Sequence, residues 1–249
     1  MARQKGIIKL KGAIGDISFY KSKDGYLARE KGGVEASRIA NDPAFARTRE
    51  NGAEFGHSAS AGKLLRDAVR VLGKNASDNR VTARLTKIMS QIKNLDEANE
   101  RGERSVAEGL LLDAGKALLK GFNFNVNAVM GSVLYAPYGV DIDTGKIRIE
   151  SLITQEEINY PPGATHVIFK SGFAVVDFEN GNSAMTCSDP VCMEINGEVD
   201  SLTVIPEEIP QMEGTKFILF CIEFVQEVNR INYSLKNGAY NVLAIVEVV

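Results

Sequence analysis

The stretch Ala117-Leu-Leu-Lys-Gly-Phe-Asn-Phe-Asn-Val126 divides this chain. Up to Gly121 the apolar residues recur at helical spacing, and from Phe122 onward they alternate with polar ones, a period of two. The change predicts helices confined to about residues 42–120 and antiparallel strands from about residue 122 to the end. Helices followed by strands, rather than alternating with them, predict an α+β fold with segregated parts and not a parallel α/β sheet.

Upstream of that boundary, Ser105-Val-Ala-Glu108 reads as a capping box, in which the serine and glutamate side chains satisfy first-turn N–H groups. The helix behind it is expected to run through Leu110, Leu111, Ala114 and Leu118 to a stop at Gly121. Ser77 opens an earlier helix whose Val81, Leu85, Ile88, Ile92 and Leu95 form a narrow seam for another helix. Asp42-Pro43 starts the first one, because aspartate accepts from unpaired N–H groups and proline has none to waste at the first helical position. Its apolar stripe is read as Phe45, Phe55, Leu64, Leu65, Ala68 and Leu72. A small helical bundle over residues 42–121 is the expectation.

Downstream, Phe122, Phe124 and Val126 alternate with asparagines, and residues 140–149 read as a hairpin around Thr144-Gly145. Further strands are expected at 165–169, 173–178, 191–195, 199–205, 216–228 and 240–248. Many short strands with Gly, Pro and Asn between them predict a C-terminal antiparallel β-sandwich over 122–249, Ig-like or jelly-roll-like. Phe217-Ile-Leu-Phe-Cys-Ile-Glu-Phe-Val225 is apolar on both faces, which places it at the centre, paired with 239–249 across a Lys236-Asn237-Gly238 turn.

Residues 1–41 are read as a basic arm containing an N-terminal β-hairpin, with Ile17, Phe19 and Tyr20 on one strand and Tyr26, Leu27 and Arg29 on the other, across a turn ending in Asp24-Gly25. A lone two-stranded hairpin is marginal in water, so this one is expected to pack on another surface, and those six residues are the expected assembly contacts. Charge is split along the chain. Residues 1–120 hold 23 Lys+Arg against 15 Asp+Glu, a net of +8, and residues 121–249 hold 6 against 17, a net of −11. Such a molecule attracts copies of itself head to tail.

Length and a hydrophobic fraction of 44% suit a globular protein with a core. Three cysteines make no disulfide framework, and the N-terminal residues lack the continuous apolar run of a secretory signal, so cytoplasmic synthesis is expected, with release to the exterior as an assembly left open. No stretch nears the ~18 apolar residues of a membrane span, so no membrane partner is expected.

Residues of reactive types fall short of a catalytic or metal-binding pattern. His57 reads as a solvated helix residue, His166 as a structural one at a strand start, and Cys187, Cys192 and Cys221 as buried thiols acting as small hydrophobes. Asp141-Ile-Asp143-Thr-Gly145 lacks the distal ligands of a calcium loop and reads as a hairpin turn. Gly56 and Gly62-Lys63 miss the phosphate-loop spacing by one residue. No catalytic residue, cofactor or metal is expected. Lysines and arginines interleaved with Phe19, Tyr20 and Tyr26 are the residue types of a nucleic-acid surface, but Asp16, Asp24, Glu30 and Glu35 dilute them, which makes nucleic acid a minor expectation.

The stretch Lys9-Leu-Lys-Gly-Ala-Ile-Gly-Asp-Ile-Ser-Phe-Tyr-Lys-Ser-Lys-Asp-Gly-Tyr-Leu-Ala-Arg-Glu-Lys-Gly-Gly33, with residues 41–56 and 233–246, resembles an uncharacterised bacterial family of hypothetical proteins. That resemblance implies a glycine-rich N-terminal hairpin, a helical middle and a C-terminal β-domain, and it implies no activity. The plan is similar to that of phage-like self-assembling structural subunits, at the level of architecture. The expected function is therefore a non-enzymatic structural subunit of a homopolymer, a tube, filament or shell. The alternative is a β-sandwich binding module for a protein, a glycan or a divalent ion.

Overall fold

The computed structural model describes residues 2–22, 24–235 and 239–249. Lys23 of the expected arm turn and the expected Lys236-Asn237-Gly238 turn lie outside the described residues. The protein is α+β, with strands at the N-terminus, helices in the middle and curled antiparallel strands at the C-terminus. Its chain forms two compact units, residues 1–49 and 50–249, so the helices and the C-terminal strands belong to one unit.

In the first unit, β1 (Ala2–Arg3), β2 (Gly12–Ile14), β3 (Ile17–Ser22) and β4 (Gly25–Glu30) make an antiparallel sheet in the order β1-β4-β3-β2. The expected hairpin is β3–β4, and a short strand lies along each of its edges. A helix not anticipated from the sequence, α1 (Ala36–Asn41), follows. Asp42 then accepts from Ala44 N–H at 2.9 Å, and Pro43 opens a 3-10 turn, Pro43–Phe45, that leads into α2 (Ala46–Ala68).

The second unit continues with α3 (Arg70–Gly73), α4 (Val81–Lys93), α5 (Val106–Leu111) and α6 (Asp113–Leu119), with α7 (Met130–Val133) beyond them. Ser105 caps α5 by accepting from Glu108 N–H at 3.1 Å. The single helix expected over 105–121 is two, broken at Leu112, whose backbone is extended. Within α5, Gly109 sits against the Ile92 carbonyl of α4, and Gly115 of α6 sits against the Gly109 carbonyl, approaches that a Cβ at either position would block. Gly121, with φ +80°, ends α6 in the left-handed conformation that glycine adopts without penalty.

Buried faces differ from the expected stripes by a few residues. On α2 the buried side chains include Glu54, Ser58, Ala61 and Leu65, whereas Phe55 is 64% exposed. On α4 they include Val81, Leu85, Met89 and Ile92, so Met89 takes the seam place expected for Ile88. Glu54 is tolerated inside because its carboxylate pairs with Lys93 and accepts from Gly102 N–H at 2.9 Å, which together hold it below the ordinary carboxylate range.

The remaining elements are β5 (Gly139–Val140), β6 (Ile147–Ile153), α8 (Thr154–Glu157), β7 (His166–Asp177), β8 (Asn182–Cys187), β9 (Val191–Glu194), β10 (Val199–Val204), β11 (Thr215–Val228), β12 (Ile231–Ser234) and β13 (Val242–Val248). A six-stranded sheet is built on β11, which pairs with β7 on one side and with β13 and β12 on the other. The two strands expected at 165–169 and 173–178 are one, β7, and β8 pairs with its C-terminal half. A second sheet has the order β10-β6-β5, with the expected turn at Thr144-Gly145.

Residues 217–225 are buried without interruption. Phe217, Leu219 and Cys221 join Leu65, Leu85 and Ile92 of the helices in one core, and Ile218, Phe220, Ile222 and Phe224 join Ile147, Ile149 and Leu202 of the small sheet in another. The β-sandwich is therefore two sheets with helices on the outer face of the larger one. Each fully buried large apolar side chain contributes about 1.5–3 kcal/mol, and β11 supplies such groups to both layers.

Phe122 and Phe124 are buried as expected, but residues 122–126 form an extended segment along β13 and not a strand of the sheet. Gly121 and Phe124 N–H donate to the carbonyls of Ile245 and Leu243, at 2.8 Å each. Arg84 donates to the carbonyls of Asn123 and Phe124, pairs with Asp78 and lies over the Phe122 ring. Asn123 Oδ1 accepts from Met130 N–H at the start of α7 and Asn125 Nδ2 donates to the Asn241 carbonyl, so the alternating asparagines tie this segment down.

A Cβ on Gly109 would stand 2.2 Å from the Ile92 carbonyl oxygen. Gly109→Ala should therefore cost about 1–3 kcal/mol by overpacking, read as a lower urea midpoint. Gly131→Ala, in a helix with open space around it, should leave stability unchanged or raise it by up to about 1 kcal/mol, read as an equal or higher midpoint. An unaltered midpoint for Gly109→Ala would contradict the close helix approach.

Candidate assembly interface

The sheet of residues 2–30 alternates its side chains between two faces. The β3–β4 register sets Phe19 opposite Ala28, Tyr20 opposite Leu27 and Lys21 opposite Tyr26, and Ile14 of β2 lies opposite Ile17. Ile14, Ile17, Phe19 and Tyr26 thus share one face, and Tyr20, Leu27 and Arg29 share the other. The six residues expected to form an assembly surface are brought together in one sheet but divided three and three between its sides.

Cations stack on the aromatic rings of both faces. The Arg29 guanidinium lies 5.5 Å from the Tyr20 ring centre, and the Lys21 and Lys9 ammonium groups lie 5.7 and 6.0 Å from that of Tyr26. Such contacts are worth about 0.5–1 kcal/mol at exposed sites. They order the side chains without providing a core.

Leu27 is the one buried apolar side chain among the described residues of this unit. Ile7 and Ile8 stand open to solvent, Ile14 and Ile17 are exposed, and α1 buries nothing. The loop bearing the two isoleucines is fastened at its base. Gln4 Nε2 donates to the Leu10 and Leu27 carbonyls, and Leu10 N–H donates back to Gln4 Oε1 at 2.8 Å. Lys5, Lys9 and Lys11 flank the exposed pair, so the most apolar point of the unit is also among its most basic.

The histidines, the cysteines and Asp141 lie elsewhere, in structural settings. His57 is not a solvated helix residue. It is half-buried, its Nε2 accepts from Val106 N–H at 2.9 Å, and burial holds its pKa below the ordinary 6.5. His166 begins β7 with Nδ1 2.9 Å from Thr165 Oγ1. Cys221 is buried and Cys187 half-buried, but Cys192 is exposed, because β9 is a short edge strand. Asp141 accepts from Asp143 and Thr144 N–H, as a hairpin turn requires. A depression of about 560 Å³ beside β5 and β6 is lined by Tyr138, Lys146, Arg148 and Glu150, the last two paired at 2.8 Å. Among the described residues no group of three His, Cys, Asp or Glu side chains is placed to hold a metal ion, and no helix is long and apolar enough to cross a membrane.

No protein-family model, curated protein or solved structure matches the chain.

The expected arm residues were legible from strand alternation. Gln4 and the Ile7-Ile8 tip were not singled out, although two adjacent isoleucines between lysines are the signal that marks them. His57 was misread because the backbone it ties down lies 49 residues away in sequence.

The His57 tie gives the body a pH dependence. The unfolded chain takes up a proton on this histidine more readily than the native chain does. Stability from this group is therefore complete above about pH 6.5, falls as the pH drops through the ordinary value, and levels off once native His57 is charged as well. His57→Gln should flatten the decline in urea midpoint between pH 7.5 and 5.5, values set about one unit either side of the ordinary one. An equal decline in wild type and variant would show that other groups set it.

Proposed function

We propose that this protein is a structural subunit that assembles with copies of itself into a homopolymer such as a tube, filament or shell, with the N-terminal arm joining neighbours. The observation that carries this reading is the arm's lack of a core: a four-stranded sheet with one buried apolar side chain. Ordering a residue costs about 1–2 kcal/mol in backbone entropy, and a sheet that buries so little of its own apolar surface needs another surface to offset that cost.

Charge supports the same reading. Residues 1–49 hold 11 Lys+Arg and 5 Asp+Glu, a net of +6, against 18 and 27 in residues 50–249, a net of −9. Arms therefore repel arms and attract bodies, which favours heterologous, head-to-tail contacts over a closed pair of like surfaces. No reaction is assigned to the chain in this reading. Nucleic acid on the basic arm is the less favoured partner and would appear as co-purifying absorbance at 260 nm.

Purified full-length protein should sediment as large species and show ordered polymers by electron microscopy, with association slowed as salt rises. Exposed charges are screened beyond about 8 Å at physiological ionic strength, so the electrostatic share of the contact is lost before the apolar share. Deleting residues 1–41 should leave the circular dichroism of the body intact and abolish the large species. Unchanged assembly after the deletion, or a monomer at every salt concentration, would overturn the proposal.

A further inference from the structure

The assembly reading leaves open where on a neighbour the arm would dock, and the six-stranded sheet offers a place. Strand β12 pairs with β11 on one side, and among the described residues no strand covers its other side. It is joined to β11 by Asn229 and Arg230, both with positive φ, the two-residue turn whose twist suits a hairpin. Pairing in such a hairpin alternates, so the main-chain groups of every second residue of β12 point outward and unpaired.

The two sides of this hairpin differ in chemistry. Val228 lies opposite Ile231 and Gln226 opposite Tyr233, and Val228, Ile231 and Tyr233 are 45%, 55% and 54% exposed on one face. On the other face Glu227 lies opposite Asn232, with His166 beside Glu227 and Glu194 opposite His166. The edge is thus apolar above and acidic below.

Residues 8–11, Ile-Lys-Leu-Lys, have the complementary alternation over the four-residue length of β12. Extended, they would carry Ile8 and Leu10 on one face and Lys9 and Lys11 on the other. Resting on the assembly reading, we infer that this segment of a second copy adds as a strand to the free edge of β12. Ile8 and Leu10 cover Ile231 and Tyr233, the lysines lie on the face that carries Glu227, and main-chain hydrogen bonds hold the register. The exchange releases the Gln4 ties to Leu10 and replaces them with a strand ladder. Because donor and acceptor are different parts of the chain, each copy can give to one neighbour and receive from another.

The test mixes two full-length chains, one Lys9→Cys and one Asn232→Cys, both with Cys192→Ser to remove the exposed thiol 3.7 Å from Asn232. After mild oxidation, mass spectrometry should find a disulfide joining position 9 of one chain to position 232 of the other. Adding Tyr233→Lys to the acceptor chain should cut its yield at least tenfold. A disulfide joining 232 to 232 would show that the edges pair with each other and would overturn the inference. Polymers that form without the 9–232 link would overturn the docking site alone. A wild-type chain that stays monomeric would overturn the assembly reading on which the site rests.

Discussion

A strand with no polar face must be covered twice, and β11 sets that requirement for the rest of the body. Its residues 217–225 are all buried, and the alternation of a strand sends half of them to each side of the sheet. One side is closed by the helices and the other by the three-stranded sheet, each with its own apolar cluster. Either cover alone would leave phenylalanines in water. This is why residues 50–249 form one unit although the sequence pattern changes in the middle of it, and why the segment after α6 is tied to β13 and to Arg84 of α4 at once.

The arm answers to a different constraint. Strand pairing, a glutamine tie and cation–ring stacking give it a shape, but none of these removes much apolar surface from water. Elements of this kind sit at the low end of a protein's stability scale, and such elements are the ones that exchange partners. In the proposed assembly, stability concentrated in the body gives a rigid acceptor, and marginal order in the arm gives a donor that loses little by moving.

Much of the body was readable from period alone. The helix-to-strand order, the central place of Phe217–Val225 and its pairing with the last strand follow from apolar spacing, and the helix starts at Asp42 and Ser105 follow from capping chemistry. What failed did so for long-range reasons. Phe122-Asn-Phe-Asn has the period of an edge strand, and only the distant partners of its asparagines show that it is a tied loop. Phe55 was expected on the apolar stripe, and the burial of Glu54 in its place depends on Lys93, which no local rule connects to it. The third layer was hidden for the same reason, because helical stripes show that a face is covered but not by what. In the arm, alternation identified the strands, whereas β1 and β2 were too short to register as strands.

The Glu54–Lys93 pair bears on how this sequence can change over time. Losing either partner alone strands a charge in the interior at about 3–5 kcal/mol, a large part of the stability of any domain, whereas an apolar pair of like volume is often tolerated. Gly102 narrows the choice further, since its N–H needs the acceptor that Glu54 provides. A neutral glutamine at position 54 keeps that acceptor but leaves the buried Lys93 ammonium without its counter-ion, so it is tolerated only with an uncharged residue at position 93. Homologous chains, when aligned, should show these two positions changing together, with an acceptor kept at the first whatever occupies the second.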